Sequence, residues 1–197
     1  TEVLKDVSFS ARRGEIFGIY GLMGSGHQQI GSAIFGQDLL LGGGVSLKGQ
    51  KLAIRNPLDA IKAGIAYVPA ERKTEGLILN QSVAVNTMAA YYSKSRRMFV
   101  NKARDNEICD KWIKSLSTKT PSGATIVESL SGGNQQKVVL AKWLELQPDV
   151  LILNEPTRGI DVGAKAEIYK ILDRLVAEGK CVIIITSEMP ELLAMSD

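Results

Sequence analysis

Two runs of the chain, Val150-Leu151-Ile152-Leu153 and Cys181-Val182-Ile183-Ile184-Ile185, carry no charged or hydroxyl side chain. A strand with one wet face alternates apolar and polar residues, whereas a strand apolar on both faces must be covered on both. Between these runs Ile168, Ile171, Leu172, Leu175 and Val176 recur at helical spacing, and Gly179 closes the helix. Upstream, Glu15-Ile16-Phe17-Gly18-Ile19-Tyr20 and Ile65–Val68 read as further short, buried strands. Strands alternating with helices in this way predict an α/β fold with a mostly parallel sheet. There is no internal repeat and no low-complexity tract.

With 197 residues the chain has room for one domain with a full core, plus a small subdomain. A net charge of +3 is too mild to argue for nucleic acid as a partner. No apolar run approaches the roughly 18 residues that span a bilayer, and no signal-peptide pattern opens the chain. Cys109 and Cys181 lie far apart, without metal-ligand spacing, each among apolar neighbours, so both are expected to be small core residues. The expectation is an intracellular, reduced protein. Thr1 stands directly before a strand-like run, and Asp197 stops one turn into a continuing pattern. The chain therefore reads as a piece of something longer.

Val3 to Phe9 nearly alternates, as a half-buried strand does, and Arg12-Arg13-Gly14 turns out of it. Val45 to Lys48 is a short strand, giving a small antiparallel β region towards the N-terminus. Asn56-Pro57 caps a helix that ends at Gly64. Pro69 to Gly76 is polar and reads as a loop. From about Gln81 to Thr120 the pattern is helical, with Asn101 capping a run to Leu116 that carries Ile108, Trp112, Ile113 and Leu116 close to one face. Residues 81–127, without strand pattern, are read as a helical subdomain inserted in a single domain of residues 1–197. Lys94, Arg96 and Arg97 beside Tyr91-Tyr92 fit a solvated surface, or else a contact with membrane subunits or lipid headgroups.

Three stretches carry chemistry. The first strand runs into Gly21-Leu22-Met23-Gly24-Ser25-Gly26-His27-Gln28-Gln29, with helical residues beyond. Strand, glycine loop, helix is the setting of a phosphate-binding loop, G-x-x-x-x-G-K-[ST]. Gly21 and Gly26 have the required spacing, but His27 holds the lysine position and Gln28 the hydroxyl position. Taken alone the loop fits either a glycine turn or a degenerate phosphate loop, and its setting favours the second. The strand at Val150 ends in Asn154-Glu155, where a P-loop ATPase keeps a magnesium-steadying aspartate and a residue that orients water. Asn154 offers an oxygen without charge; Glu155 is a full acid. Leu130-Ser131-Gly132-Gly133-Asn134-Gln135-Gln136-Lys137 then opens an amphipathic helix. Such a start offers free N–H groups to an anion, although a bare Ser-Gly-Gly equally suits an ordinary N-capped helix.

In this order the glycine loop, Leu130–Lys137, and Val150 to Lys165 resemble an ABC-transporter nucleotide-binding domain over nearly the whole chain. More narrowly they are similar to the ATP-binding protein of bacterial monosaccharide importers of the ribose, galactose and xylose type. The specific marks are the Gly-Gly-Asn-Gln-Gln-Lys form of the signature and Arg158-Gly159-Ile160-Asp161-Val162-Gly163 after Glu155. Proteins of that family usually carry two such domains in one polypeptide, the second with an eroded phosphate loop, and this chain looks like the second. The resemblance implies a P-loop core, ATP with magnesium, and sugar-transporting ATPase activity in the full complex. It implies permease subunits and a second nucleotide-binding domain as partners, and a peripheral place at the cytoplasmic face of the inner membrane. Residues Gly21 to Gln29, Asn154 and Ser187 would line the domain's own nucleotide, with Glu155 orienting water. Ser131, Gly132, Gly133 and Gln135 would act in trans, on the ATP of the opposite domain. Asp161 begins the following helix as its N-cap, and the resemblance places it at the dimer seam.

The departures are as telling. Where the family keeps glutamine after the Ile65 strand, this chain has Ala70 and Glu71. Where it keeps a histidine that touches the terminal phosphate, the chain has Ser187, and its only histidine is His27. Each lost charged contact is worth roughly 1.5–3 kcal/mol. Loss of both lysine and aspartate therefore costs about two to four decades in affinity if additive. His27 recovers part of this with a shorter reach. The expectation is a domain that holds ATP, hydrolyses it poorly, and is weak or inactive alone. Two other readings stay open at this point: a soluble ABC ATPase outside transport, and a regulatory nucleotide-binding module without catalysis.

Overall fold

A computed structural model describes residues 4–95 and 100–197. Its residues fall into two compact units. The first takes the chain up to Ala70, Pro148–Pro156 and Leu172–Asp197. The second takes Glu71–Gln147 and Thr157–Ile171.

The first unit is built on four parallel strands in the order β1-β6-β5-β4. They are β1 (Ile16–Tyr20), β4 (Ile65–Val68), β5 (Val150–Asn154) and β6 (Cys181–Thr186). Register runs Ile16 to Val182, Val150 to Cys181 and Ile65 to Val150. Every residue of β4, β5 and β6 is buried, as their unbroken apolar runs require. Helix α1 (Gln28–Phe35) packs on β4, β5 and β6. A β-carbon added at its Gly31 would lie 2.7 Å from the Tyr67 ring and 3.0 Å from Ile185, so only glycine lets this helix sit so close. Helix α2 (Pro57–Lys62) lies on β4; the Asn56 side chain accepts from the Asp59 N–H, with Pro57 at the first helical position. Helix α7 (Met189–Met195) packs on β1 and β6.

The antiparallel region is a hairpin of β2 (Val45–Leu47) and β3 (Gln50–Leu52), turning at Lys48-Gly49, both with positive φ. The second strand of this pair escaped the sequence because Gln50-Lys51-Leu52 has a single apolar residue. One expectation is corrected: over Leu4–Phe9 the chain forms no strand. Alternation says which face a strand would bury, but a strand also needs a ladder partner. Val7 and Phe9 stay largely exposed, and Phe9 stacks on Phe17 with ring centroids 5.1 Å apart.

In the second unit α3 (Val83–Ser95) packs on α4 (Lys102–Ser115) and on α5 (Gly132–Leu144). Asn101 caps α4 by accepting from the Arg104 N–H. The most buried positions of this helix run are Asp105, Cys109 and Leu116, with Ile108, Trp112 and Ile113 half-buried beside them. Asp105 is buried beside the Tyr92 hydroxyl, which lies 2.7 and 2.9 Å from its two oxygens. Burial pushes the Cys109 thiol up to about 11, so it is a packing residue, as expected. Cys181 is buried too. A second correction concerns Arg72–Gly76, which is a π-helical turn and no open loop. Its carbonyl at Gly76 accepts from Lys142 Nζ at 2.6 Å, a contact that local sequence does not announce. Lys94 is exposed; Arg96 and Arg97 lie outside the described residues.

Candidate functional site

The carboxyl ends of the parallel strands collect the chemistry, as open α/β sheets do. β1 delivers the loop Gly21 to His27, β5 delivers Asn154 and Glu155, and β6 delivers Ser187. Gly24 and Gly26 take φ of 84° and 86°, which a side chain would resist. His27 is buried and lies against Gly21: a β-carbon there would fall 2.5 Å from its Cγ. Ser25 Oγ lies 3.0 Å from His27 Nδ1. The other ring nitrogen, Nε2, is buried without a hydrogen-bond partner and lies 3.6 Å from Glu155 Oε1.

Glu155 is held where sequence placed it, in a conformation sequence does not show. Its φ is 47°, in the left-handed region that disfavours a β-carbon. Its carboxylate Oε1 accepts from the Ser187 N–H at 2.9 Å and from Gln28 Nε2 at 3.3 Å. Gln28, at the hydroxyl position, is therefore bonded to the acid itself. Thr186 Oγ1 lies 3.5 Å from Glu155 Oε2 but 2.6 Å from Glu191 Oε2, so its one proton serves Glu191. Glu191 is a buried carboxylate that sequence reasoning missed; a charged residue in a short terminal helix gives no signal of burial.

Asn154 is buried at 3% exposure. Its Nδ2 donates to the Gln28 carbonyl at 3.2 Å and to Tyr67 Oη at 3.1 Å, while its Oδ1 has no partner. Magnesium prefers one or two carboxylates, a hydroxyl and phosphate oxygens in octahedral array. Here Glu155 is engaged by Gln28 and the Ser187 N–H, Glu191 is engaged by Thr186, and no hydroxyl stands at position 28. Among the described residues no cluster of three or more acidic, histidine or cysteine side chains is disposed to hold a metal. The residues do not fit the ion.

The second unit presents the Leu130–Lys137 segment. Ser131 stands at the N-cap of α5, exposed, but its side chain makes no capping bond. Instead Asn134 Nδ2 donates to Ser131 Oγ at 2.9 Å, so the hydroxyl proton stays available to an acceptor. Gly132 and Gly133 are required by close packing: β-carbons there would lie 2.9 Å from the Gly159 carbonyl and 2.4 Å from the Ala164 β-carbon. Gln135 is not presented with Ser131. It is buried and donates from Nε2 to the Val127 carbonyl at 3.3 Å, so it supports the segment from inside. Lys137 is fully buried, with Nζ 2.8 Å from the Ser117 carbonyl and 2.6 Å from Glu167, whose carboxyl it holds below the usual range. Asp161 caps α6 (Val162–Ala177), accepting from the Ala164 N–H at 2.9 Å.

The cleft lined by Ser10, Arg12, Glu15 and Asp197 sits at the opposite end of β1 from the glycine loop and plays no part in this arrangement. Among the described residues no helix is long and apolar enough to cross a membrane.

A family model described as ABC transporter matches residues 4–158. The ribose import ATP-binding protein RbsA of Clostridium tetani is 46% identical over 98% of this chain and 39% of its own length. The galactose/methyl galactoside import ATP-binding protein MglA of Treponema pallidum is 45% identical, over 98% of this chain and 39% of its own length. The chain thus spans about two fifths of the length of these relatives. Among solved structures, a nucleotide-free ATP-binding cassette from an ABC transporter superposes with a TM-score of 0.84 over 99% of this chain and 79% of that one, at 20% identity. The dimeric cassette MJ0796 in a post-hydrolysis state bound to ADP and Pi gives a TM-score of 0.80 over 96% of this chain and 82% of that one, at 22% identity. The fold is that of an ABC ATPase cassette. With the parallel sheet, the glycine loop at its strand ends and a family match over most of its length, the chain belongs to the ABC transporter family of ATP-binding domains, beside ATP-binding proteins of monosaccharide importers.

Proposed function

We propose that this chain is the second nucleotide-binding domain of a monosaccharide importer's ATPase, with a degenerate site of its own and a signature that serves the opposite domain. The observation that carries the reading is the contrast between two sets of side chains. At the strand ends Gln28 and the Ser187 N–H bond to Glu155, His27 lies against it, and Asn154 is spent on the Gln28 carbonyl and Tyr67. Ser131, by contrast, is exposed at the N-cap of α5, with its hydroxyl proton available to an acceptor.

On this reading nucleotide phosphates are held by the amides of the Gly21 to Gly26 loop other than those of Gly21 and Ser25, which donate to the Thr186 and Leu22 carbonyls, and no step is routed through magnesium at this site. Glu155 lacks the aspartate and lysine that would let it orient water against a polarised phosphate. ATP draws two domains together head to tail, Ser131 and the N–H groups of Gly132 and Gly133 close on the terminal phosphate held by the other loop, and hydrolysis there resets the pair. Residues 81–127 form the inserted helical subdomain. Together with the Ala70 segment it meets the permease subunits at the cytoplasmic face of the membrane. The sugar is of the ribose or galactose class, as the relatives' names indicate. Substituting Ser131→Arg in the full-length protein fills the helix start with a bulky cation and abolishes ATP turnover; unchanged turnover overturns the trans role.

A further inference from the structure

The π-turn at Arg72 is tied to the start of α5 by an arrangement that the trans reading does not itself require. Arg72 Nη1 donates to the Arg158 carbonyl at 2.5 Å and Nη2 to the Gly159 carbonyl at 3.0 Å. Arg158 in turn pairs its guanidinium with Glu71, so two adjacent residues of one segment clasp two adjacent residues of the other. The same Nη2 would stand 2.7 Å from a β-carbon on Gly132, which places the guanidinium against the first residue of α5. Three segments thus meet at one side chain, all within the second unit: the turn after β4, the Arg158-Gly159 loop and the signature.

The placement is costly. A cation near a helix N-terminus faces the unfavourable end of the dipole. Arg72 Nε is buried with no hydrogen-bond partner. Burial lowers the guanidinium's pKa, and the Glu71 charge opposes that in part. What the site gains is a rigid fork. Two donors in one plane fix two consecutive carbonyls at a set distance from Gly132, which a lysine, a point charge on a flexible stem, cannot do.

We infer that Arg72 is a positioning residue that fixes the Arg158-Gly159 loop against Gly132, and so sets the geometry with which the signature meets the opposite domain's nucleotide. The inference rests on the trans reading above. Arg72→Lys and Arg72→Ala are to be measured in the full-length protein, at a temperature where circular dichroism shows both fully folded, beside Ser131→Arg. Both lower kcat at least about tenfold with little change in KM for ATP, the loss expected when a forked, charge-assisted contact goes. Methylguanidine restores kcat to Arg72→Ala in a saturable way. Wild-type kcat in Arg72→Lys overturns the inference while Ser131→Arg remains inactive. A kcat loss that methylguanidine leaves untouched and that follows a lowered urea midpoint also overturns it, in favour of a role in folding alone. Full turnover in Ser131→Arg removes the trans reading, and the inference with it.

Discussion

Asn154 is fitted into the first unit as an amide. Its Nδ2 donates to the Gln28 carbonyl, and a carboxylate in the same place would set two acceptors face to face in a buried site. Restoring the acid by Asn154→Asp is therefore expected to destabilise the domain by about 1–3 kcal/mol when magnesium is chelated, read from urea unfolding. A domain whose aspartate had merely been exchanged, with its surroundings still built for an acid, would show no loss. His27, Gln28, Asn154 and Ser187 are legible in the sequence as departures from the phosphate-loop ATPase pattern. How they are used is not: that Gln28 bonds to Glu155, and that Glu155 sits at φ 47°, follow from contacts 32 and 127 residues apart in the chain.

Among the elements, those specified by local chemistry are legible. Asn56-Pro57 and Asn101 cap helices because their side chains reach N–H groups three residues on. β5 and β6 announce themselves by having no polar face. The rest depends on partners. Leu4–Phe9 has the alternation of a strand but no ladder, and the Arg72–Gly76 turn is tied to distant segments by Arg72 on the Arg158 carbonyl and by Lys142 on its Gly76 carbonyl. Lys142 illustrates the second case. Its ammonium bonds the Gly76 carbonyl and lies 5.1 Å from the Trp143 ring centre, and burial pushes its pKa down to about 8 from an ordinary 10.5. Between those values the unfolded chain holds more protons than the folded one, so this group's contribution to stability rises with pH across the window and is a fixed cost below it. The stability of the domain relative to Lys142→Met is expected to improve from pH 8 towards pH 10, by an amount on the order of 3 kcal/mol in full. Urea unfolding of the two proteins at each pH measures it; a pH-independent difference would contradict the assigned burial.

For the molecule as a whole, the family and the α/β architecture follow from motifs and apolar runs, and the comparisons bear both out. The division of labour between the two nucleotide sites is the central claim. Each site would combine parts of two domains, with this one supplying a weak loop to one site and an intact signature to the other. The most direct test is Glu155→Gln in the full-length protein, with ATP turnover measured at saturating nucleotide. The account predicts turnover within about twofold of the unsubstituted protein, because hydrolysis proceeds at the opposite site. A loss of about a hundredfold or more, the scale on which removal of a working general base is felt, would contradict it.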